Sequence, residues 1–152
     1  MNLIKKAKMQ EESGDIDAAI NTLKTELNNN PKNILLQIEI GNLYALIGNY
    51  EEASGFFRRS IRVFPDNKDV MEALCFCLCE IGNKYQYDRR YSLAEAAFEE
   101  LLQYQPKNSD YLFNLANAFF SQDKLDKALS LYQKSLALKK DENTFNNLGN
   151  TF

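Results

Sequence analysis

The sequence contains no histidine and no tryptophan, and its three cysteines all lie within five residues. Without histidine, the chain lacks the commonest general base and the commonest metal ligand of proteins. Three closely spaced cysteines do not form a disulfide framework. No apolar run approaches the roughly 18 residues of a membrane-spanning helix, and the N-terminal MNLIKKAKMQEE has no apolar signal-peptide core. These absences favour an intracellular, cytoplasmic protein without membrane insertion.

The residues that are present have the composition of a folded globular chain. Hydrophobic residues make up 45% and charged residues 26% of the 152 residues, which argues against disorder. The formal net charge is −3, from 18 basic and 21 acidic side chains, and this balance does not favour nucleic acid as a partner. We therefore expect one domain of ordinary size.

Residue types recur at intervals of 34 positions along most of the chain. Gly14, Gly48 and Gly82 are 34 residues apart, and so are Pro31 and Pro65. Four alanines lie between an apolar residue three positions earlier and a large apolar residue four positions later: Ala19, Ala53, Ala94 and Ala128. The spacings predict pairs of amphipathic helices, with alanine at the closest crossing and glycine in the turn. Proline suits the loop after each pair because it cannot continue a helix.

This pattern resembles the tetratricopeptide repeat, a 34-residue helix–turn–helix unit. The second repeat carries it best, with Ile40-Gly41, Tyr44, Ala53, Phe57 and Pro65. The resemblance implies an all-α fold, a right-handed α-solenoid of antiparallel helix hairpins, in a single domain spanning 1–152. The expected repeats are 1–33, 34–67, 68–108, 109–141 and a partial fifth at 142–152. The predicted helices are 2–12, 16–28, 34–46, 50–63, 68–81, 90–104, 109–121 and 124–138, with a ninth beginning near 144.

The third repeat is seven residues longer than the others, because Pro65 and Pro106 are 41 residues apart. We expect the extra residues in NKYQYDRR, directly after Gly82 in the turn between the two helices. Either both helices are extended by nearly two turns, which keeps their phase, or the segment forms a loop. Four residues then lie at one rim: Tyr85, Tyr87, Arg89 and Arg90. Since tyrosine and arginine are favoured in interface hot spots, they are a predicted secondary contact site, with a solvated insertion as the alternative.

No sequence pattern for catalysis is present: the chain has no G-x-S-x-G, no P-loop and no G-x-G-x-x-G. Cys75, Cys77 and Cys79 are too closely spaced for a metal motif, and we interpret them as small hydrophobic side chains. Cys75 is expected at the small helix position that Gly41 and Ala116 fill. We therefore predict a protein that is not an enzyme and that needs no cofactor or metal.

The resemblance also implies a binding site, because the first helix of each repeat lines a concave groove in this family. The apolar residues predicted on that wall are Ile38, Phe76, Phe113 and Phe120, and the asparagines are Asn42, Asn114, Asn117 and Asn147. Asparagine has donor and acceptor groups and can pair with the backbone of an extended peptide. The arrangement is similar to the asparagine ladder of some peptide-binding members, although Glu39 and Ala73 interrupt it. The basic carboxylate clamp of chaperone-binding members is missing.

We therefore predict a scaffold or adaptor that binds a protein or peptide segment in the groove. The alternatives are a structural spacer or self-association module, and a regulatory arm of a larger enzyme. Self-association is suggested by NTFNNLGNTF at 143–152, which matches the beginning of a further first helix. As the last element it would leave Phe145, Leu148 and Phe152 uncovered on an open C-terminal face, which favours a fragment of a longer array.

Overall fold

Every regular element in the described part of the chain is an α-helix, which confirms the all-α prediction. The computed structural model describes the backbone of residues 2–151 and the side chains of residues 2–142. The helices are α1 (Leu3–Glu12), α2 (Ile16–Asn29), α3 (Ile34–Leu46), α4 (Tyr50–Val63), α5 (Lys68–Tyr87), α6 (Tyr91–Tyr104), α7 (Ser109–Ser121) and α8 (Leu125–Thr151). Each begins within one residue of its predicted start.

Asparagine and aspartate side chains fix several of these starts. Oδ1 of Asp15 accepts a hydrogen bond from the backbone N–H of Ala18 at 3.2 Å, and Oδ1 of Asn33 accepts one from Leu36 at 3.2 Å. The first turn of a helix has N–H groups without a partner inside the helix, and such caps satisfy one of them. The helix boundaries are therefore encoded locally, which explains why they could be predicted.

The turn within each helix pair contains one residue with a left-handed backbone. The φ angle is 84° at Gly14, 76° at Gly48, 60° at Arg89 and 60° at Asp123. The prediction that Gly82 occupies this turn in the third pair is wrong, because Gly82 lies inside α5 and Arg89 takes the turn position instead. Equivalent positions of the four first helices therefore lie the same number of residues before these four turn residues.

The seven extra residues of the third repeat all lengthen α5. This helix has 20 residues, whereas α3 and α7 have 13. The second helix is not extended, since α6 has 14 residues, as α2 and α4 do. The structure therefore excludes the predicted loop and shows a helix extension, but of the first helix alone and not of both. The segment NKYQYDRR is the ordinary end of a longer first helix followed by its turn.

Gly82 provides the closest approach between α5 and α6. A Cβ atom added to Gly82 would lie 2.5 Å from Cε1 of Phe98, and one added to Gly41 would lie 2.7 Å from Cε1 of Phe57. The two glycines thus have the same role in their pairs, where a phenylalanine of the second helix fills the space of a missing side chain. The expectation that Cys75 fills this position is wrong, because seven residues shift the count.

Contacts divide the chain into two compact units, residues 1–77 and 78–152. The first unit has a core built from α1 to α4, whose buried members include Ala7, Ala19, Ile20, Leu23, Leu36, Ile40, Leu43 and Phe56. The second unit buries Phe98, Leu101, Leu115 and Ala116 between α6, α7 and α8. The four alanines predicted at helix crossings are all buried, which confirms that part of the pattern.

The last helix, α8, is continuous over 27 residues from Leu125 to Thr151. The prediction of a separate ninth helix near residue 144 is therefore wrong for the described backbone. Lys140 stands where proline closes the earlier repeats, so nothing at that position removes a helical hydrogen bond or blocks the next turn. The predicted exposure of Phe145, Leu148 and Phe152 concerns side chains outside the described residues.

The three cysteines form no disulfide; Cys75 and Cys77 are buried and Cys79 is half-buried. Burial raises the pKa of the Cys79 thiol, and the carboxylate of Glu80 raises it further. A protonated thiol is a poor nucleophile and a poor metal ligand. Among the residues that the structure describes, no three histidine, cysteine, aspartate or glutamate side chains are grouped to hold a metal. No described helix has the length and apolarity to cross a membrane.

Candidate peptide-binding face

The outward side of α7 presents two aromatic side chains on either side of an asparagine. Phe113, Asn117 and Phe120 are spaced at i, i+4 and i+7 and therefore share one side of the helix. Phe113 is 47% exposed and Phe120 is 60% exposed, whereas Asn117 is half-buried between them. The opposite side of α7 is buried in the core of the second unit. The apolar residues of α7 thus exceed what the core requires, and the surplus faces solvent.

Tyr132 of α8 holds this face in place. Its hydroxyl donates a hydrogen bond to Oδ1 of Asn117 at 2.6 Å, and its ring lies 5.4 Å from the ring of Phe113. The accepted bond occupies the carbonyl oxygen of Asn117 and leaves its Nδ2 group as the donor for a ligand. A side chain fixed in this way loses less rotamer freedom on binding, which favours affinity.

Counting back from the turn residues reveals a third equivalent asparagine, Asn83, which the sequence analysis missed. Asn42, Asn83 and Asn117 each lie six positions before the turn residue of their pair. Nδ2 of Asn83 is 3.7 Å from Sγ of Cys79, and the side chain is exposed at the end of α5. Ala73 does not hold the ladder position expected for it, because counting back from Arg89 puts Glu80 at the position of Asn114. In the second unit, Asn83 of α5 joins the residues of α7 and α8 in a set that we call the aromatic–asparagine face: Asn83, Phe113, Asn117, Phe120 and Tyr132.

The first unit carries a plainer version of this face on α3. Ile38 is half-buried and Asn42 is exposed, at the positions of Phe113 and Asn117. The position of Tyr132 is occupied by Phe57, which has no hydroxyl to hold Asn42. Phe76 lies elsewhere: it is exposed near the middle of the long α5, with its ring edge-on to Tyr50 at 5.7 Å.

Two other predicted groove residues add less to the face. Asn114 is half-buried on the flank of α7, beside the row of Phe113, Asn117 and Phe120. Asn147 lies outside the residues whose side chains the structure describes. Asn114 does not share the register of Asn42, Asn83 and Asn117, since it lies nine and not six positions before its turn residue.

The four residues of the predicted secondary contact site lie at the end of α5 and in the turn that follows. Tyr87 and Arg89 are exposed, and the guanidinium carbon of Arg90 lies 5.0 Å from the centre of the Tyr85 ring. Arg90 and Tyr85 therefore contact each other. Arg89 takes the left-handed turn conformation, which gives it a backbone role in addition to its charge.

A polar network links the ends of α5 and α6 to the turn between α7 and α8. Nε2 of Gln86 donates to Oγ of Ser121 at 2.9 Å. Glu95 of α6 accepts from Nε2 of Gln122 at 2.7 Å and from Nζ of Lys124 at 2.9 Å. Partial burial raises the pKa of Glu95, but the bonds from Lys124 and Gln122 outweigh it and hold that pKa below its ordinary value. The network fixes the turn that carries Asp123 and so supports the aromatic–asparagine face from one end.

Solved structures of similar fold agree with this helical architecture. Two structures of MamA AMB-1 have TM-scores of 0.52 and 0.54, with 20% and 18% identity over 91% and 90% of this chain and 72% and 76% of theirs. MamA from residue 41 to its end, from Desulfovibrio magneticus RS-1, has a TM-score of 0.51 and 18% identity over 90% of this chain and 73% of its own. At these identities the likeness shows the fold alone. No curated protein sequence matches this chain.

The family of the chain follows from a direct match to its sequence. The tetratricopeptide repeat family model matches residues 4–68 and again residues 79–143. The unmatched segment between them lies in α5, the helix that is seven residues longer than its counterparts. In both matched stretches the turn residues and the asparagines keep the same spacing. Since the two stretches make up most of the sequence, the chain belongs to the tetratricopeptide repeat family, whose repeats are protein-interaction scaffolds.

Proposed function

We propose that this protein is an adaptor that binds an extended peptide segment of a partner protein on the aromatic–asparagine face. The observation that carries the proposal is the pair of exposed rings, Phe113 and Phe120, on either side of an asparagine whose oxygen is already held by Tyr132. Exposed aromatic groups beside a fixed polar group are typical of binding surfaces. The core of the second unit does not need these rings.

The chemistry of the face indicates what the ligand presents. Nδ2 of Asn117 donates to a backbone carbonyl of the peptide, and Asn83 binds the next accessible peptide group. Phe113 and Phe120 contact apolar side chains of the ligand, because their exposed surface gains most from losing water. The asparagines thus bind backbone in any sequence, while the rings select for hydrophobic residues.

The proposal describes a binding protein without catalysis, located in the cytoplasm. Three cysteines without a disulfide suit a reducing compartment. The raised pKa of Cys79 favours the protonated thiol, which is a poor nucleophile. Nothing in this reasoning requires a metal or a cofactor.

A peptide array tests the proposal. The wild-type protein is applied to random peptides beside Phe113→Ala and Asn117→Ala, and beside Phe64→Ala as the control, an exposed phenylalanine of the first unit. We expect the wild type and the control to select the same hydrophobic sequences and both face variants to lose them. Circular dichroism and thermal unfolding check that the variants remain folded. Selection that survives both substitutions, or no selection by the wild type, would overturn the proposal.

A further inference from the structure

The last helix carries an apolar row that is largely exposed, although its one tyrosine, Tyr132, packs on α7. The row consists of Leu125, Leu129, Tyr132 and Leu136, which we call the leucine stripe. Their spacing of i, i+4, i+7 and i+11 places them on one side of α8. The three leucines are 52%, 58% and 55% exposed. The neighbouring side of α8 is the one that packs on α7, since Oγ of Ser135 donates to the backbone oxygen of Ser109 at 2.7 Å.

The equivalent row in α2 is covered by a helix. Counted from Gly14, the leucine stripe corresponds to Ile16, Ile20, Leu23 and Leu27. Ile20 is 3% exposed and Leu23 is 1% exposed, and both belong to the core cluster that includes Leu36, Ile40 and Leu43 of α3. The first helix of the following repeat therefore buries this row. Leu129 stands at the position of Ile20 with more than half of its surface in water.

We propose that the leucine stripe docks an amphipathic α-helix of a partner protein, packed as α3 packs on α2. The fitting helix presents large apolar residues at i, i+4 and i+7, as α3 does with Leu36, Ile40 and Leu43. The repeated interface argues for a helix, because the same spacing of apolar residues is already matched by a helix within the first unit. The site shares Tyr132 with the aromatic–asparagine face, but its three leucines lie outside that face, and the inference does not depend on the proposed function.

A second copy of the chain does not offer the required helix at its beginning. The residue of α1 equivalent to Ile40 is Lys6, which is charged and exposed, and the residue equivalent to Leu36 is Asn2. Only Met9, equivalent to Leu43, is apolar. Burying Lys6 against Leu129 without a partner charge would cost more than the contact gains. The stripe therefore fits a heterologous helix better than the first helix of another copy.

Titration with a designed helix tests the inference. The probe is a fluorescent peptide of about 15 residues, which as a helix is long enough to span the stripe. It has leucine at i, i+4, i+7 and i+11 and glutamate and lysine elsewhere. A scrambled peptide of the same composition is the control ligand. We expect the wild type to bind the designed peptide and Leu129→Glu to bind it about tenfold more weakly or worse. Leu93→Glu, an exposed leucine of α6, is the matched control and should bind as the wild type does.

The remaining outcomes each overturn the inference. They are equal binding by Leu129→Glu and the wild type, equal binding of the scrambled peptide, and no binding up to about 1 mM peptide. Sedimentation that shows a wild-type dimer lost in Leu129→Glu would assign the stripe to a second copy instead. Leu125→Glu is a second variant and should also weaken binding of the designed peptide. We expect it to remain folded, because a carboxylate is favourable in the first turn of α8.

Discussion

The hydroxyl of Tyr132 and the side-chain oxygen of Asn117 join α8 to α7 at 2.6 Å, and the ring of the same tyrosine contacts Phe113. One residue of the second helix thus fixes two residues of the first. In the first unit this position belongs to Phe57, which fills the space above Gly41 but donates no hydrogen bond. The tyrosine therefore gives the proposed binding face of the second unit a hydrogen bond that the first unit lacks at this position.

Tyr132→Phe should separate the hydrogen bond from the ring contact. We expect the free energy of unfolding to fall by about 1 kcal/mol, since the ring remains and only the bond to Asn117 is lost. Affinity for peptides selected by the wild type should fall as well, because Asn117 is no longer held. Urea denaturation and peptide titration measure the two effects. Tyr87→Phe, which removes a hydroxyl from an exposed tyrosine, should change neither quantity.

Asn83→Ala should weaken peptide binding with little effect on stability. The side chain is exposed and makes only a long contact with Sγ of Cys79. We expect about a fivefold loss of affinity, the equivalent of one hydrogen bond of about 1 kcal/mol. Calorimetric titration with an array-selected peptide measures the change. Unaltered affinity would remove Asn83 from the face and return the ladder to Asn42 and Asn117.

Gly82→Ala and Gly55→Ala should change stability in opposite directions. The added methyl group at Gly82 meets the Phe98 ring at 2.5 Å and should cost about 1–3 kcal/mol through overpacking. A Cβ atom added to Gly55 of α4 would have no neighbouring atom within 4 Å, so alanine should stabilise the helix by about 0.5–1 kcal/mol. Chemical denaturation of both variants checks the signs. A neutral Gly82→Ala would show that α5 and α6 separate easily.

Arg89→Gly should stabilise the protein. Arg89 holds a φ angle of 60°, where glycine avoids the crowding of a Cβ atom. We expect a gain of about 1 kcal/mol, provided that the guanidinium contributes no contact of similar size. Arg90→Gly is the control next to it, because Arg90 has a φ angle of −91° and should lose stability or stay unchanged. Thermal unfolding ranks the three proteins.

The ion pair of Glu95 and Lys124 should make stability depend on pH. Glu95 has a lowered pKa in the folded protein, so it adds stability above the pKa of the unfolded chain and loses that contribution as pH falls through the folded pKa. The wild type should therefore be more stable than Glu95→Gln at neutral pH, and the difference should vanish on acidification below about pH 4. Unfolding curves at several pH values measure it. Glu99→Gln on the same helix controls for the loss of a charge at an exposed site.

Local signals in the sequence were sufficient for most of the architecture. Helix starts followed from the 34-residue repeat of glycines and prolines such as Gly48 and Pro65, and helix crossings followed from the spacing of alanines such as Ala53. The turn of the third pair was predicted at the wrong residue, because Gly82 has both the residue type and the spacing of a turn glycine. Glycine serves two purposes here, a left-handed turn at Gly48 and a close helix contact at Gly82, and the residue type alone does not separate them.

That one misplacement explains why the predicted register along α5 differs from the observed one. With the turn moved from Arg89 to Gly82, the count along α5 shifted by seven residues, so Phe76 and Ala73 were assigned to the groove and Asn83 was overlooked. The spacing of Gly41, Gly82 and Ala116 contained the correction, since each lies seven residues before its turn residue. The bond between Tyr132 and Asn117 was beyond sequence reasoning, because it depends on how two helices meet.

The added length of α5 shows which changes a helical repeat tolerates. Seven residues advance a helix by about 10 Å and turn it by two full turns less about 20°, so the faces on either side of the addition keep their direction. Five added residues would rotate one end against the other by about 140° and would turn Gly82 away from Phe98. Insertions and deletions in such helices should therefore be accepted in steps of seven residues. One such insertion is sufficient in evolution, and protein engineers can use the same step to set the length of a repeat.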